Sequence, residues 1–195
     1  MKAYGNKKQR NLERLLMGLA IAALCVVVPG RGRKADAAGT ANISIRVTVA
    51  PSLSLSVDKN DYDFGNMPVN TTSISTSAIV VTNDSAGRTQ DYQINGSSTA
   101  NWTIASANGV NQFQLRALLN SVKPVDADFT AVLSTLSATV ANMSAANYGG
   151  NQNGNGVNSG STRNLWFRIQ TPTETSYSTE QTITMTLTAA DAGTF

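Results

Sequence analysis

The sequence predicts an all-β protein, an antiparallel β-sandwich placed behind an N-terminal signal peptide. Three observations carry that expectation. Apolar and polar residues alternate in short runs, as at Ile43-Ser44-Ile45-Arg46-Val47-Thr48-Val49 and Thr182-Ile183-Thr184-Met185-Thr186-Leu187. Such alternation puts one set of side chains on each face of a strand. Asn, Asp, Gly and Pro punctuate these runs at short intervals, which argues several strands joined by turns rather than helices. The first 37 residues follow the order of an export signal.

That leader begins with Lys2, Lys7, Lys8, Arg10 and Arg14 and continues as an apolar run from Leu15 to Val28. Pro29-Gly30 ends the run and Ala35-Asp36-Ala37 supplies a small-x-small cleavage site. The run is short for a bilayer core about 30 Å thick. We expect residues 1–37 to be a signal peptide and residues 38–195 to be one secreted β-sandwich domain. A retained N-terminal anchor is the alternative, kept open by Arg31, Arg33 and Lys34 between the apolar run and the cut. Cys25 follows Ala22-Ala23-Leu24, which does not resemble a lipobox.

Removal of the leader changes the charge. The whole chain carries +3, whereas residues 38–195 hold seven bases and ten acids, a net of −3. No basic patch remains to neutralise phosphates, so a nucleic-acid partner is not expected. Cys25 is the only cysteine, and there is no histidine. The secreted part therefore lacks disulfides, thiolate nucleophiles, imidazole bases and the usual zinc or copper ligands. We expect no cofactor and no membrane association of the processed form.

Taken in order, Ile43 to Val49 alternates without a fault and reads as a strand, with Ile43, Ile45, Val47 and Val49 on one face. Pro51 marks an edge or a bend before a second strand at Leu53–Val57. Asp58-Lys59-Asn60-Asp61 is a turn cluster, and Gly65 suits a positive φ. Ala78 to Thr82 is a β-branched strand closed by a loop at Asn83–Gly87. Tyr92–Ile94 and Trp102–Ile104 are short strands, ended by Asn95-Gly96 and Asn108-Gly109, the dipeptide that favours tight turns. Phe113 to Leu119 is a further strand. From Asp126 to Val140, Val132, Leu133, Leu136 and Val140 fit a helical face with Asp128 as a cap, while the Ser/Thr/Val content favours strand or short irregular structure, the reading adopted here. Residues 149–156, GGNQNGNG, read as an exposed low-complexity loop. Leu165–Ile169 and Thr182–Leu187 read as a terminal β-hairpin around a polar connector with Pro172. Strands of this length and spacing suit a sandwich of immunoglobulin-like or jelly-roll type, with Trp102, Phe113, Trp166 and Phe167 as core aromatics.

The block Leu53–Asn83, with Asp63-Phe64-Gly65 and Ile79-Val80-Val81-Thr82-Asn83, is similar to strand pairs of bacterial secreted immunoglobulin-like surface domains. The segment Asn164–Ala189 resembles the last hairpin of such proteins and, more loosely, of camelysin-like biofilm fibre subunits. The resemblance implies an extracellular structural role, with assembly by strand exchange. It transfers no functional residue.

Candidate sites are few. Asp58, Asn60, Asp61 and Asp63 could offer oxygens to Ca²⁺, but Tyr62 stands where an EF-hand has its third ligand and the glycine is missing, so turn formation is the preferred reading. Glu174 and Glu180, the only glutamates after the leader, read as solvated loop acids rather than a hydrolytic pair. Tyr148 and Tyr177 are the aromatics that could stack on a sugar ring, although core or rim packing is the preferred reading for each. The expected function is a non-enzymatic secreted structural or surface protein, with self-assembly or a cell-surface partner; the strand Ile43–Val57 is expected to pair within its own chain in a monomer, donation to a neighbour in a fibre or matrix subunit being the other reading. The alternative is an extracellular carbohydrate- or ligand-binding module. The expected location is extracellular or on the cell surface, the periplasm being the other compartment open to it.

Overall fold

The computed structural model describes residues 44–47, 52–130 and 134–195. The expected leader and its expected cleavage site, together with Ile43, Val49 and Pro51, lie outside the described residues. The chain divides into two units, Met1–Val47 and Thr48–Phe195. Of the first, only Ser44–Val47 is described. These residues are irregular and exposed.

In the second unit the alternating runs form strands, numbered here in chain order: β1 (Leu55–Val57), β2 (Thr72–Ile74), β3 (Ile79–Asn83), β4 (Gln90–Gly96), β5 (Thr103–Ile104), β6 (Gln112–Leu119), β7 (Ala141–Asn142), β8 (Thr162–Gln170) and β9 (Met185–Asp191). They make two sheets in a β-sandwich-like arrangement. The larger has six strands in the order β1-β3-β8-β6-β5, with β2 also on β8; the smaller has the order β7-β4-β9. Pairing is antiparallel except between β5 and β6.

Period-2 patterning decides what goes inside. On β6, Phe113, Leu115, Ala117 and Leu119 enter the main core; on β8, Leu165, Phe167 and Ile169 do the same. Tyr92 and Ile94 of β4 are buried with them, and Met185, Leu187 and Ala189 of β9 pack against the same cluster. The opposite face of the large sheet is covered too. Leu118 and Trp166 are buried there with Phe129, which arrives from the segment after β6. Both tryptophan expectations therefore need refinement: Trp166 belongs to this second cluster, and Trp102 is a half-buried margin residue with its ring 6.5 Å from that of Phe113.

The expected terminal hairpin does not form. β8 uses both of its edges, β6 on one and β2 and β3 end to end on the other. No edge is left for β9, which crosses to the small sheet and pairs with β4 from Gln90↔Asp191 to Gly96↔Met185. The break between β2 and β3 is bridged by Ser75. Its N–H donates to the Phe167 carbonyl at 2.8 Å, and its buried hydroxyl accepts the Phe167 N–H at 3.1 Å.

Asn95-Gly96 is not a turn but the end of β4. A Cβ there would stand 3.1 Å from Ile104 Cδ1, a tight contact that the side chain would have to ease by a few tenths of an ångström. The turn expected at Asn108-Gly109 is present as mutual backbone bonds between Gly109 and Gln112, but the strands flanking it run parallel. Gly65 takes the expected positive φ, 70°.

The segment from Asp126 onward is largely irregular among its described residues, with a 3-10 turn at Asp126–Asp128. Leu136 is buried, and its N–H donates to Leu115; Val132 and Leu133 lie outside the described residues.

The Asn/Gly-rich loop is not a free exposed loop. Gly150 N–H donates to Leu119 O at 3.0 Å, Gly154 N–H to Met143 O at 2.7 Å, and Tyr92 N–H to Gly154 O at 2.8 Å. Gly154 is buried, and a Cβ on it would lie 2.6 Å from both Met143 Cβ and Met143 O. Low side-chain bulk lets this backbone approach the sheets closely, so the composition that resembled a linker is a packing requirement.

Candidate assembly site

Four strands end the two strand orders: β1, β5, β7 and β9. On one flank, chain that follows β6 covers the remaining edge. Thr135 bridges Arg116 and Gly149 bridges Leu119 beyond the short β5 pairing, and Ala141–Asn142 then enters the small sheet as β7. At the opposite ends of the two orders stand β1, three residues long, and β9, seven residues long.

β9 is the longest terminal strand among the described residues. Its sequence Met185-Thr186-Leu187-Thr188-Ala189-Ala190 carries no charge and no proline before Asp191. Natural edge strands are usually blunted by such residues, by bulges or by a covering segment. Asp191 is paired with Arg88 at 2.7 Å, at the strand's end.

The residues singled out for assembly are placed as follows. Ile45 is 85% and Val47 78% exposed, and neither belongs to a strand; Ile43 and Val49 lie outside the described residues. Two β-branched side chains this exposed leave water in contact with area worth roughly 2 kcal/mol each on burial.

The aromatic candidates separate. Tyr148 is 4% exposed, not a surface aromatic, and its hydroxyl donates to Thr135 O at 2.9 Å. Burial pushes that hydroxyl's pKa up. Its backbone has φ 63°, so the ring is turned into the core by a left-handed residue that strand alternation does not foresee. Tyr177 stays exposed at 43%.

The four candidate Ca²⁺ ligands do not share one role. Asp58 Oδ1 accepts the Val80 N–H at 2.7 Å, and Asp63 Oδ1 accepts the Gly65 N–H at 2.7 Å, both turn or strand-end functions. Among the described residues no three acidic, His or Cys side chains are grouped to hold a metal ion. Glu174 contributes its backbone, accepting from Asn111 N–H at 2.9 Å.

One polar cluster escaped the sequence reading. On the outer face of the large sheet, Arg116 and Arg168 sit directly opposite each other. Arg168 Nε donates to Asp126 Oδ1 at 2.5 Å and its Nη1 to Gln114 Oε1 at 3.1 Å, while Arg116 Nη1 donates to Phe129 O. The hydrogen bond from Arg168 holds the Asp126 carboxyl below its ordinary range, helped by the charges of Arg168 and Arg116. Burial, then the neighbouring Arg168, lowers the Arg116 pKa. Only adjacency across β6 and β8 creates this cluster, and nothing in the spacing of the residues announces it. A shallow open groove beside it is lined by Thr72, Ser73, Ile74, Lys123 and Asp126.

The sequence matches no known protein-family model and no curated protein.

Proposed function

We propose that this chain is a non-enzymatic, secreted structural or surface protein, a fibre or matrix subunit that assembles by β-strand complementation, with a sandwich of immunoglobulin-like or jelly-roll type. The observation that carries the reading is the alternating segment Ile43–Val49, whose described part holds Ile45 and Val47 exposed and outside any strand. An exposed apolar alternation that precedes a β-rich unit in the sequence is suited to adding a strand to a sheet edge, where backbone bonds supply affinity and alternate side chains supply register. The leader sequence and the resemblance to secreted surface domains favour the extracellular setting. The carbohydrate-binding alternative is weakened because Tyr148 is inside the core, leaving Tyr177 without its partner aromatic.

Deleting residues 38–50 is the test. The expected result is a chain that stays folded and monomeric and no longer forms the multimers or fibres that the undeleted protein shows by electron microscopy. A parent protein that never multimerises, together with a deletion that unfolds, would make the segment an ordinary strand of one sandwich.

A further inference from the structure

We infer that the acceptor for the Ile43–Val49 strand is the free edge of β9 in a second copy of this chain; the inference rests on the assembly reading above and names its other half.

The edges differ in what they offer. β5 and β7 have two residues each, and β1 has three. An added strand gains ladder bonds in proportion to the length it can pair. β9 has seven residues, Met185–Asp191, and Ile43–Val49 also has seven. β4 occupies one edge of β9, and no strand occupies the other among the described residues.

The faces agree as well. Met185, Leu187 and Ala189 pack toward the core, while Thr186 and Thr188 are exposed. An added strand in register would put three of Ile43, Ile45, Val47 and Val49 beside the first set, and the fourth beside Asp191 at the end of the strand. Ser44, Arg46 and Thr48 would then lie beside the threonines. A slip of one residue would exchange the two sets and expose every apolar side chain, so the pattern selects the register. Met185 and Leu187 are only partly buried, so the core margin beside β9 has area left to cover.

The occupant is a second copy rather than the same chain. In the single chain Ser44–Val47 stands outside every strand with its apolar residues in water. A strand donated head to tail leaves each subunit with one free donor and one free acceptor, so the contact propagates as an open filament.

Hydrogen exchange on the untruncated protein isolated from its own cells, read by mass spectrometry across a dilution series, tests this. At concentrations where light scattering shows multimers, amides of residues 185–191 should exchange at least about tenfold more slowly than in the dilute monomer. The double variant Ile45→Lys, Val47→Lys alters two exposed side chains, so its fold is expected to survive. It should abolish both the multimers and the protection. Concentration-dependent protection at Leu55–Val57 instead of β9 would overturn the acceptor assignment and leave assembly standing. Protection of β9 that is independent of concentration, yet lost in the double variant, would show insertion in the same chain and overturn the second copy. Absence of multimers at every concentration would remove both readings.

Discussion

Phe167→Ala measures how firmly the two sheets are clamped. Phe167 is 6% exposed and sits in the main core at the centre of β8, between Leu165 and Ile169 on the same face. Truncation to alanine removes nearly a whole ring from a site that is already dry. Emptying a buried aromatic site costs about 3–5 kcal/mol, a transfer contribution plus one for the cavity. The cavity contribution depends on whether the surroundings can close over the hole. Here β8 is held on both edges, and Phe167 itself is pinned at its backbone by Ser75. The strand therefore cannot slide toward the small sheet, and a value in the upper half of that range is expected. Equilibrium urea denaturation, followed by tryptophan fluorescence and circular dichroism, reads the change as a shift in midpoint at constant slope. Tyr177→Ala, at an exposed position, serves as the control and should stay within about 0.5 kcal/mol. A loss below about 1 kcal/mol for Phe167→Ala would refute the inference that this face of β8 lies between the sheets.

Three further outcomes are expected. The buried Tyr92 hydroxyl makes no hydrogen bond among the described residues, so Tyr92→Phe should be neutral or stabilising by up to about 1 kcal/mol in the same melts. Burial also pushes the Tyr92 hydroxyl up to about 12 from an ordinary 10. A folded pKa above the unfolded one gives stability that is intact below pH 10 and lost as pH rises toward 12; Tyr92→Phe should flatten that alkaline loss, and an unchanged alkaline limb would contradict the burial. Gly154→Ala should destabilise by roughly 1–3 kcal/mol, because the new methyl meets backbone and Cβ of Met143; a neutral result in thermal melts would mean that residues 149–156 do not pack as described. Asp126 has a depressed folded pKa, so its contribution is present above its unfolded value and fades as pH falls through the folded one. The side chain is 65% exposed, so solvent screens the pair and the effect is small: Asp126→Asn should reduce only the acid-side decline in thermal midpoint, below about pH 4, and should leave neutral-pH stability nearly unchanged.

Much of the fold was legible because its causes are local. Alternation at Phe113–Leu119 and Leu165–Ile169 announced strands whose inward sets are the observed core, and Gly65 took the left-handed backbone that only a residue without Cβ adopts at low cost. β-branched content located β3. The turn role of Asp63 follows from a short carboxylate that reaches the N–H two residues on, whereas Asp58 caps the β1–β3 pairing through the distant Val80 N–H.

What the sequence could not determine was pairing between elements. The runs at Leu165–Ile169 and Thr182–Leu187 look like a hairpin because they are neighbours in sequence, yet β8 has no free edge and β9 belongs to the other sheet. Asn95-Gly96 carries a turn dipeptide but is pulled into β4 by its ladder with β9, where the glycine packs close to Ile104. The run GGNQNGNG has the composition of a linker, but sheets that come close enough to need small residues turn it into packed backbone. Tyr148 stands among polar neighbours that leave stacking on a sugar and packing in the core both open, and its ring lies inside at a left-handed residue. In each case the local pattern specifies what a residue can do, while edge occupancy and close approach, which exist only once distant strands have met, decide what it does. The edge of β9 is a property of the same kind: its alternation is written at Thr182–Thr188, and only the tertiary structure leaves one side of it unpaired among the described residues.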